Sequence, residues 1–116
     1  TSLDTLYPQL LKDIPNPPFV LFYKGNPALL IENTKIAVVG TRKVTGYGRQ
    51  VTELIVSALA QSVAVIVSGL AIGVDAIAHQ TTLENKGKTI AVLGSGVDYC
   101  TPRENQQLYE RIMAED

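Results

Sequence analysis

Tryptophan is absent from these 116 residues, and cysteine and methionine occur once each. The lone Cys100 excludes an internal disulfide and offers no cysteine-based metal set, which fits a reducing compartment. No apolar run approaches the roughly 20 residues that a membrane-spanning helix needs. The N-terminus has no basic segment leading into an apolar one, so no secretory leader is expected. Neither sign of charge dominates: 10 Lys and Arg against 11 Asp and Glu leave a formal net charge of −1. The overall field therefore gives no attraction to nucleic acid or to an anionic membrane. At 46% hydrophobic and 18% charged residues, the composition is that of an ordinary globular chain with enough apolar matter for one core. The expectation is one modest soluble, cytoplasmic domain, with no membrane contact and no bound metal or cofactor.

Three runs of β-forming residues each stop at a glycine followed by small or polar residues. Ile36-Ala37-Val38-Val39 meets Gly40-Thr41-Arg42-Lys43, Val63 to Val67 meets Ser68-Gly69, and Thr89 to Leu93 meets Gly94-Ser95-Gly96. Helical patterns separate them. One begins near Thr45, a good N-cap, with Val51, Leu54, Ile55, Ala58 and Leu59 on one stripe. A second runs from about Asp75 to Glu84, and a third from about Arg103 to Ala114 with Leu108, Ile112 and Met113 inward. The order β-α-β-α-β-α predicts an α/β, Rossmann-like three-layer domain with a mostly parallel sheet, its strands side by side and covered on both faces. The pattern is that of a truncated doubly wound fold, expected to continue beyond Asp116 in a longer protein.

Residues 1–34 read as an N-terminal extension packed on a main domain of residues 35–116. Tyr7 to Leu11 suits a short helix with Pro8 in its first turn. The prolines of Ile14-Pro15-Asn16-Pro17-Pro18 make a stiff breaker, after which Phe19 to Tyr23 reads as a short edge strand.

Parallel sheets bind ligands at the carboxyl ends of their strands, which is where the three glycine-bounded loops fall. Backbone N–H groups and helix N-termini there favour an anion, and glycine admits a phosphate close to the backbone. Four basic residues and no acid lie between Lys35 and Arg49, among them Arg42 and Lys43 directly after the first strand. Gly40, Thr41, Arg42, Lys43, Ser68, Gly69, Gly94 and Ser95 are the candidate phosphate-binding residues, with Arg42 suited to bidentate contact. Arg103 opens a helix next to the third loop. Dinucleotide and P-loop fingerprints are missing: the first loop fits neither, and Tyr99 stands where the third glycine of a G-x-G-x-x-G run would fall. Asp75 and His79, four apart on one helix face, fit a hydrogen-bonded structural pair better than an acid-oriented general base. Asp98 fits a brace for backbone N–H groups in its turn. Tyr47, beside the Arg42 loop, is placed to stack on a base. No nucleophile stands in a recognisable setting, so no enzyme activity is expected.

Taken together, four segments resemble the DNA-processing protein A family (DprA, also called Smf). They are Tyr7-Pro8-Gln9-Leu10-Leu11 with Ile14 and Pro17-Pro18; Val38 to Arg42; the long run from Ser68 to His79; and Gly87 to Asp98. The resemblance covers nearly the whole chain in order. It implies an extended Rossmann fold that binds single-stranded DNA, and a full protein that protects incoming DNA and loads RecA recombinase on it during natural transformation, often as a homodimer. It also implies that Arg42 contacts phosphate and that Arg103, after Pro102, lines the same pocket. Thr101 stands where the family usually has tyrosine, Ile72 where many members have a basic residue, and the family's later Arg-Asn-rich block is not in this sequence. The competing reading is a nucleotide-binding Rossmann enzyme, such as a phosphoribohydrolase of the Lonely Guy group. That group's Pro-Gly-Gly-x-Gly-Thr motif has no counterpart here.

Overall fold

A computed structural model describes residues 7–31, 34–62, 64–94 and 103–115. Three short parallel strands form its centre: β1 (Lys35–Ala37), β2 (Val65–Ser68) and β3 (Lys88–Ala91), in the order β1-β2-β3. Ile36, Ile66 and Thr89 lie opposite one another in register, as do Ala37, Val67 and Ile90. Backbone hydrogen bonds continue the ladders past the strand ends, from Val38 to Val67 at 2.9 Å and from Val92 to Ser68 at 2.9 Å. The fold is α/β, as the alternation of β-formers and helical stripes predicts.

Helix α1 is a single turn, Gln9–Lys12, entered through Pro8. Helix α2 (Gly46–Gln61) starts where Thr45 accepts a hydrogen bond from the Gly48 N–H at 3.0 Å, the expected N-cap. Helix α3 (Val74–Glu84) ends in two backbone bonds of a Schellman motif, Gly87 to Thr82 and Lys86 to Leu83. Helix α4 (Gln106–Glu115) follows a 3₁₀ turn, Arg103–Asn105. A further 3₁₀ segment spans Pro27–Ile31.

One core cluster joins Val56 of α2, Ile66 of β2 and Ala78 of α3, flanked by Ile36, Val38 and Leu59. A second joins Leu70, Leu83, Tyr109 and Ile112, with Ala91, Leu93, Leu108 and Met113 around it. Helices α2 and α3 thus cover the sheet face that carries Ile36, Ile66 and Thr89. The opposite face is partly open, with Ala37, Val39 and Val92 exposed, where the near-continuous apolar strands predict cover on both sides.

Two sequence expectations differ from the structure in detail. Leu54, Ile55 and Ala58 are exposed, and the stripe that α2 buries centres instead on Val56 and Ala60. Leu59 of the expected stripe does pack on the core and Val51 is half-buried; the apolar surface of α2 is wider than the strip its neighbours cover. Phe19 to Tyr23 forms no strand. Pro17 and Pro18 supply no N–H donors with which to begin a ladder. The stretch instead runs past β3 and α4, where it helps line an apolar cavity of about 620 Å³ with Leu70, Ile90, Tyr109 and Met113.

Candidate functional site

The β1–α2 loop carries the exposed basic residues. Gly40, Thr41, Arg42 and Lys43 are all open to solvent at the carboxyl end of β1. Thr41 Oγ1 accepts a hydrogen bond from the Lys43 N–H at 3.0 Å, which folds the loop into a tight turn. Its carbonyl accepts from the Val74 N–H at 3.1 Å, which ties the loop to the start of α3. That union depends on two glycines. A Cβ on Gly73, whose φ is +88°, would lie 2.2 Å from the Thr41 carbonyl oxygen. A Cβ on Gly40 would lie 2.8 Å from a Val74 methyl. At Gly73 the two loops are thus held backbone against backbone, and at Gly40 the backbone of the first loop packs on the Val74 side chain.

The β2–α3 turn plays a different part from the one its sequence suggests. Ser68 is buried, and its hydroxyl donates to the Val38 carbonyl at 2.6 Å, fastening β2 to the end of β1. Its side chain is therefore not presented to a ligand. The Gly69 N–H donates to Asp75 Oδ2 at 3.1 Å. The N–H groups of Val74, Ala76 and Ile77 are also taken, by Thr41, Ala71 and Gly73. Where two helix N-termini are expected to serve an anion, most donors of the α3 end are spent internally. The α2 end, beside Arg42 and Lys43, remains the better placed one.

Asp75 and His79 do not bond to each other. Asp75 holds the Gly69 N–H, in the first turn of α3 where a carboxylate is also favoured by the helix dipole. His79 is fully buried, with Nδ1 at 2.7 Å from Thr89 Oγ1, and that hydroxyl donates to the Ile66 carbonyl at 2.8 Å. With the hydroxyl proton directed at Ile66, the network assigns the ring proton to Nδ1. Nε2 is left buried with no hydrogen-bond partner. Burial lowers the His79 pKa to about 4; the Asp75 carboxylate and the nearby Ser68 carbonyl oppose the shift only in part. The Ser68 carbonyl favours a proton there without meeting hydrogen-bond geometry. The imidazole, held between α3 and β3 by Thr89, is therefore neutral at neutral pH.

Gly94 is exposed, with open space where a Cβ would stand. Ser95 and Asp98 lie outside the described residues. Arg103 begins the 3₁₀ turn before α4. That turn is joined to the β2–α3 loop by a contact the sequence does not signal: Asn105 Nδ2 donates to the Leu70 carbonyl at 2.8 Å. Leu70 is itself unusual, fully buried with φ at +61°. Leucine gives no hint of a left-handed backbone, and Asn105 no hint of its partner. Gly73, by contrast, is a glycine directly before a helix and had a readable signal. Among the described residues no group of His, Cys, Asp and Glu is arranged to hold a metal ion.

Fold and site together define a parallel α/β domain of Rossmann type whose exposed basic loop follows the first strand of the sheet. The chain belongs to the DNA recombination-mediator protein A family, whose family model matches residues 1–116. It is 44% identical over 106 residues to DNA processing protein DprA of Bacillus subtilis, a match covering 91% of this chain and 36% of that protein. Against the DprA of Streptococcus pneumoniae it is 46% identical over 110 residues, 95% of this chain and 38% of the relative. The crystal structure of the S. pneumoniae protein superposes with a TM-score of 0.87 at 44% identity, covering 95% of this chain and 38% of that one. A Helicobacter pylori DNA processing protein A structure, described for its single-stranded DNA binding mode, superposes with a TM-score of 0.84 at 36% identity over 91% of this chain and 48% of that one. The chain thus spans a little over a third of the length of these two curated relatives. None of these relatives is a nucleotide-processing enzyme by name, and the phosphoribohydrolase alternative is not favoured.

Proposed function

We propose that this chain supplies a phosphate-binding part of a single-stranded DNA-binding protein of DNA uptake, with Arg42 as its central contact. The observation that carries the reading is the Thr41–Lys43 turn, exposed and basic at the carboxyl end of β1, braced from behind by Val74 and Gly73. A braced turn holds Arg42 and Lys43 out towards solvent and spares the backbone's share of the ordering cost of binding. Arg42 takes a phosphate oxygen pair, Lys43 adds charge, and Gly40 and Thr41 let the strand approach the backbone. Gly69, Gly94, Ser95 and Arg103 are the further residues assigned to the strand in this reading. Asp75, His79 and Asp98 act as bracing groups. Residues 1–34 are an extension resting on the binding body of residues 35–116.

In this reading the protein works in the cytoplasm, carries out no chemical step, and protects incoming strands while RecA is loaded on them. Its full-length form acts as a homodimer. The kinship with DNA processing proteins, one of them described for its single-stranded DNA binding mode, supports the assignment.

The test is fluorescence anisotropy of a labelled 20-nucleotide poly(dT) strand at low and moderate salt, with the natural chain and Arg42→Ala. The expected result is salt-sensitive binding that falls about tenfold in the variant, the loss of a strong charge-assisted contact. Unchanged binding by a folded Arg42→Ala protein would remove the site from this loop.

A further inference from the structure

We propose that Tyr47 is a stacking platform for one nucleobase of the strand whose phosphate lies on the Thr41–Lys43 turn. This rests on the single-stranded DNA reading above and adds a base subsite to it. Tyr47 is the second residue of α2 and is 78% exposed. It belongs to neither core cluster, and its hydroxyl has no hydrogen-bond partner among the described residues. Nine residues separate it from Val56, the most buried position of α2. At about 100° per residue that places Tyr47 on the opposite face of the helix. Side chains on a helix lean towards its N-terminus, so the ring inclines towards the loop edge and not back along the helix. Packing gives no account of this aromatic.

The glycines beside it sharpen the point. Gly48 has a steric reason: a Cβ there would stand 3.0 Å from a Val44 methyl. Gly46 has none: apart from its chain neighbours and its own helix backbone, no heavy atom lies within 4 Å of the position its Cβ would take. Gly46 is the first residue of α2, so its bare backbone stands next to the exposed ring at the start of the helix. Arg42 and Lys43 precede the ring in the exposed basic loop, and Arg49, paired with Glu53 at 3.6 Å, follows it. A ring beside a basic loop is the combination by which proteins hold single strands, phosphates on the charges and a base on the aromatic face. The ring offers a π-face to any base, so it contributes affinity with little sequence preference.

The experiment compares the natural chain with Tyr47→Ala, Tyr47→Phe and Arg42→Ala on two labelled probes: poly(dT) of 20 nucleotides, and an abasic strand of equal length and charge. Circular dichroism checks that each variant is folded. The expected result is that Tyr47→Ala weakens poly(dT) binding about tenfold, leaves abasic binding unchanged, and is rescued by Tyr47→Phe. Arg42→Ala should weaken both probes alike. Poly(dT) binding kept by Tyr47→Ala but lost by Arg42→Ala overturns the stacking role and spares the phosphate site. Equal losses on both probes in Tyr47→Ala would make Tyr47 a prop for the loop, and also overturn it. Absence of binding to either probe by the natural chain would overturn the DNA reading and the base subsite together.

Discussion

At Gly73 two demands meet in one residue. Its φ of +88° lies where a side chain is strained, and a Cβ would press into the Thr41 carbonyl oxygen at 2.2 Å. Neither obstacle is the flexible end of a side chain, so the backbone itself must move. Gly73→Ala is expected to cost about 3 kcal/mol, strain and displaced loop contacts together, as a lower urea midpoint with unchanged slope. DNA binding should fall with it, because the same contact holds the Arg42 turn. His79 gives a second test at this scale. Its folded pKa of about 4 lies below the ordinary 6.5. Between those values the unfolded chain takes up a proton that the folded chain refuses. The contribution of this group is therefore fully present above about pH 6.5 and is lost as the pH falls towards 4. The difference amounts to about 3 kcal/mol over that window. Because carboxylates also titrate in acid, the measurement is the difference in urea stability between the natural chain and His79→Gln from pH 4 to 7. A difference that stays flat across the window would mean that His79 is not the titrating group.

Among the elements, the end of α3 shows how a local rule can be met imperfectly. Lys86 occupies the left-handed position of the Schellman motif with φ at +58°, where glycine is the usual residue. Gly87, which looks like the turning residue in the sequence, comes one place later and serves close packing against Ala60 and Thr82. Lys86→Gly should stabilise the chain by about 0.5–1 kcal/mol, the relief of the left-handed strain less the flexibility glycine adds to the unfolded state. A thermal melt that shifts down instead would show that the lysine has a compensating contact. The same contrast of pattern and packing explains what could be read beforehand. Thr45 before α2 and the runs of Val and Ile in β1 to β3 follow local rules, so their places were legible. Which flank of α2 is buried depends on where α3 lies, an outcome set by tertiary neighbours, whereas the failure of Phe19 to Tyr23 to pair goes with the local lack of donors at Pro17 and Pro18. The site divides the same way: the exposed Arg42 turn was readable from a basic cluster after a strand, whereas the burial of Ser68 and the Asn105 bond to Leu70 arise only when β1, β2 and the turn before α4 meet.

For the whole molecule, a net charge of −1 decides how a polyanion must be held. The long-range field of this chain offers no attraction, so in the proposed reading its hold on a strand comes from a few cations at short range. In the β1–α2 region these are Arg42, Lys43 and Arg49, the last sharing its charge with Glu53 at 3.6 Å across an exposed helix turn. Each phosphate neutralised on a single strand contributes about −0.7 to the slope of log K against log salt. Two to three contacts then give a slope of about −1.5 to −2, shallow beside that of a strongly basic DNA-binding protein. Arg42→Ala should reduce its magnitude by about 0.7, with Lys43→Ala doing the same and Arg49→Ala less, since Glu53 already offsets that charge. A titration series across salt concentrations with these three variants reads each contribution separately. A steep slope, about −4 or beyond, would require more cations than this loop holds and would move the contact surface elsewhere on the chain. A slope near zero with retained affinity would point to stacking alone, with Tyr47 and not Arg42 carrying the strand.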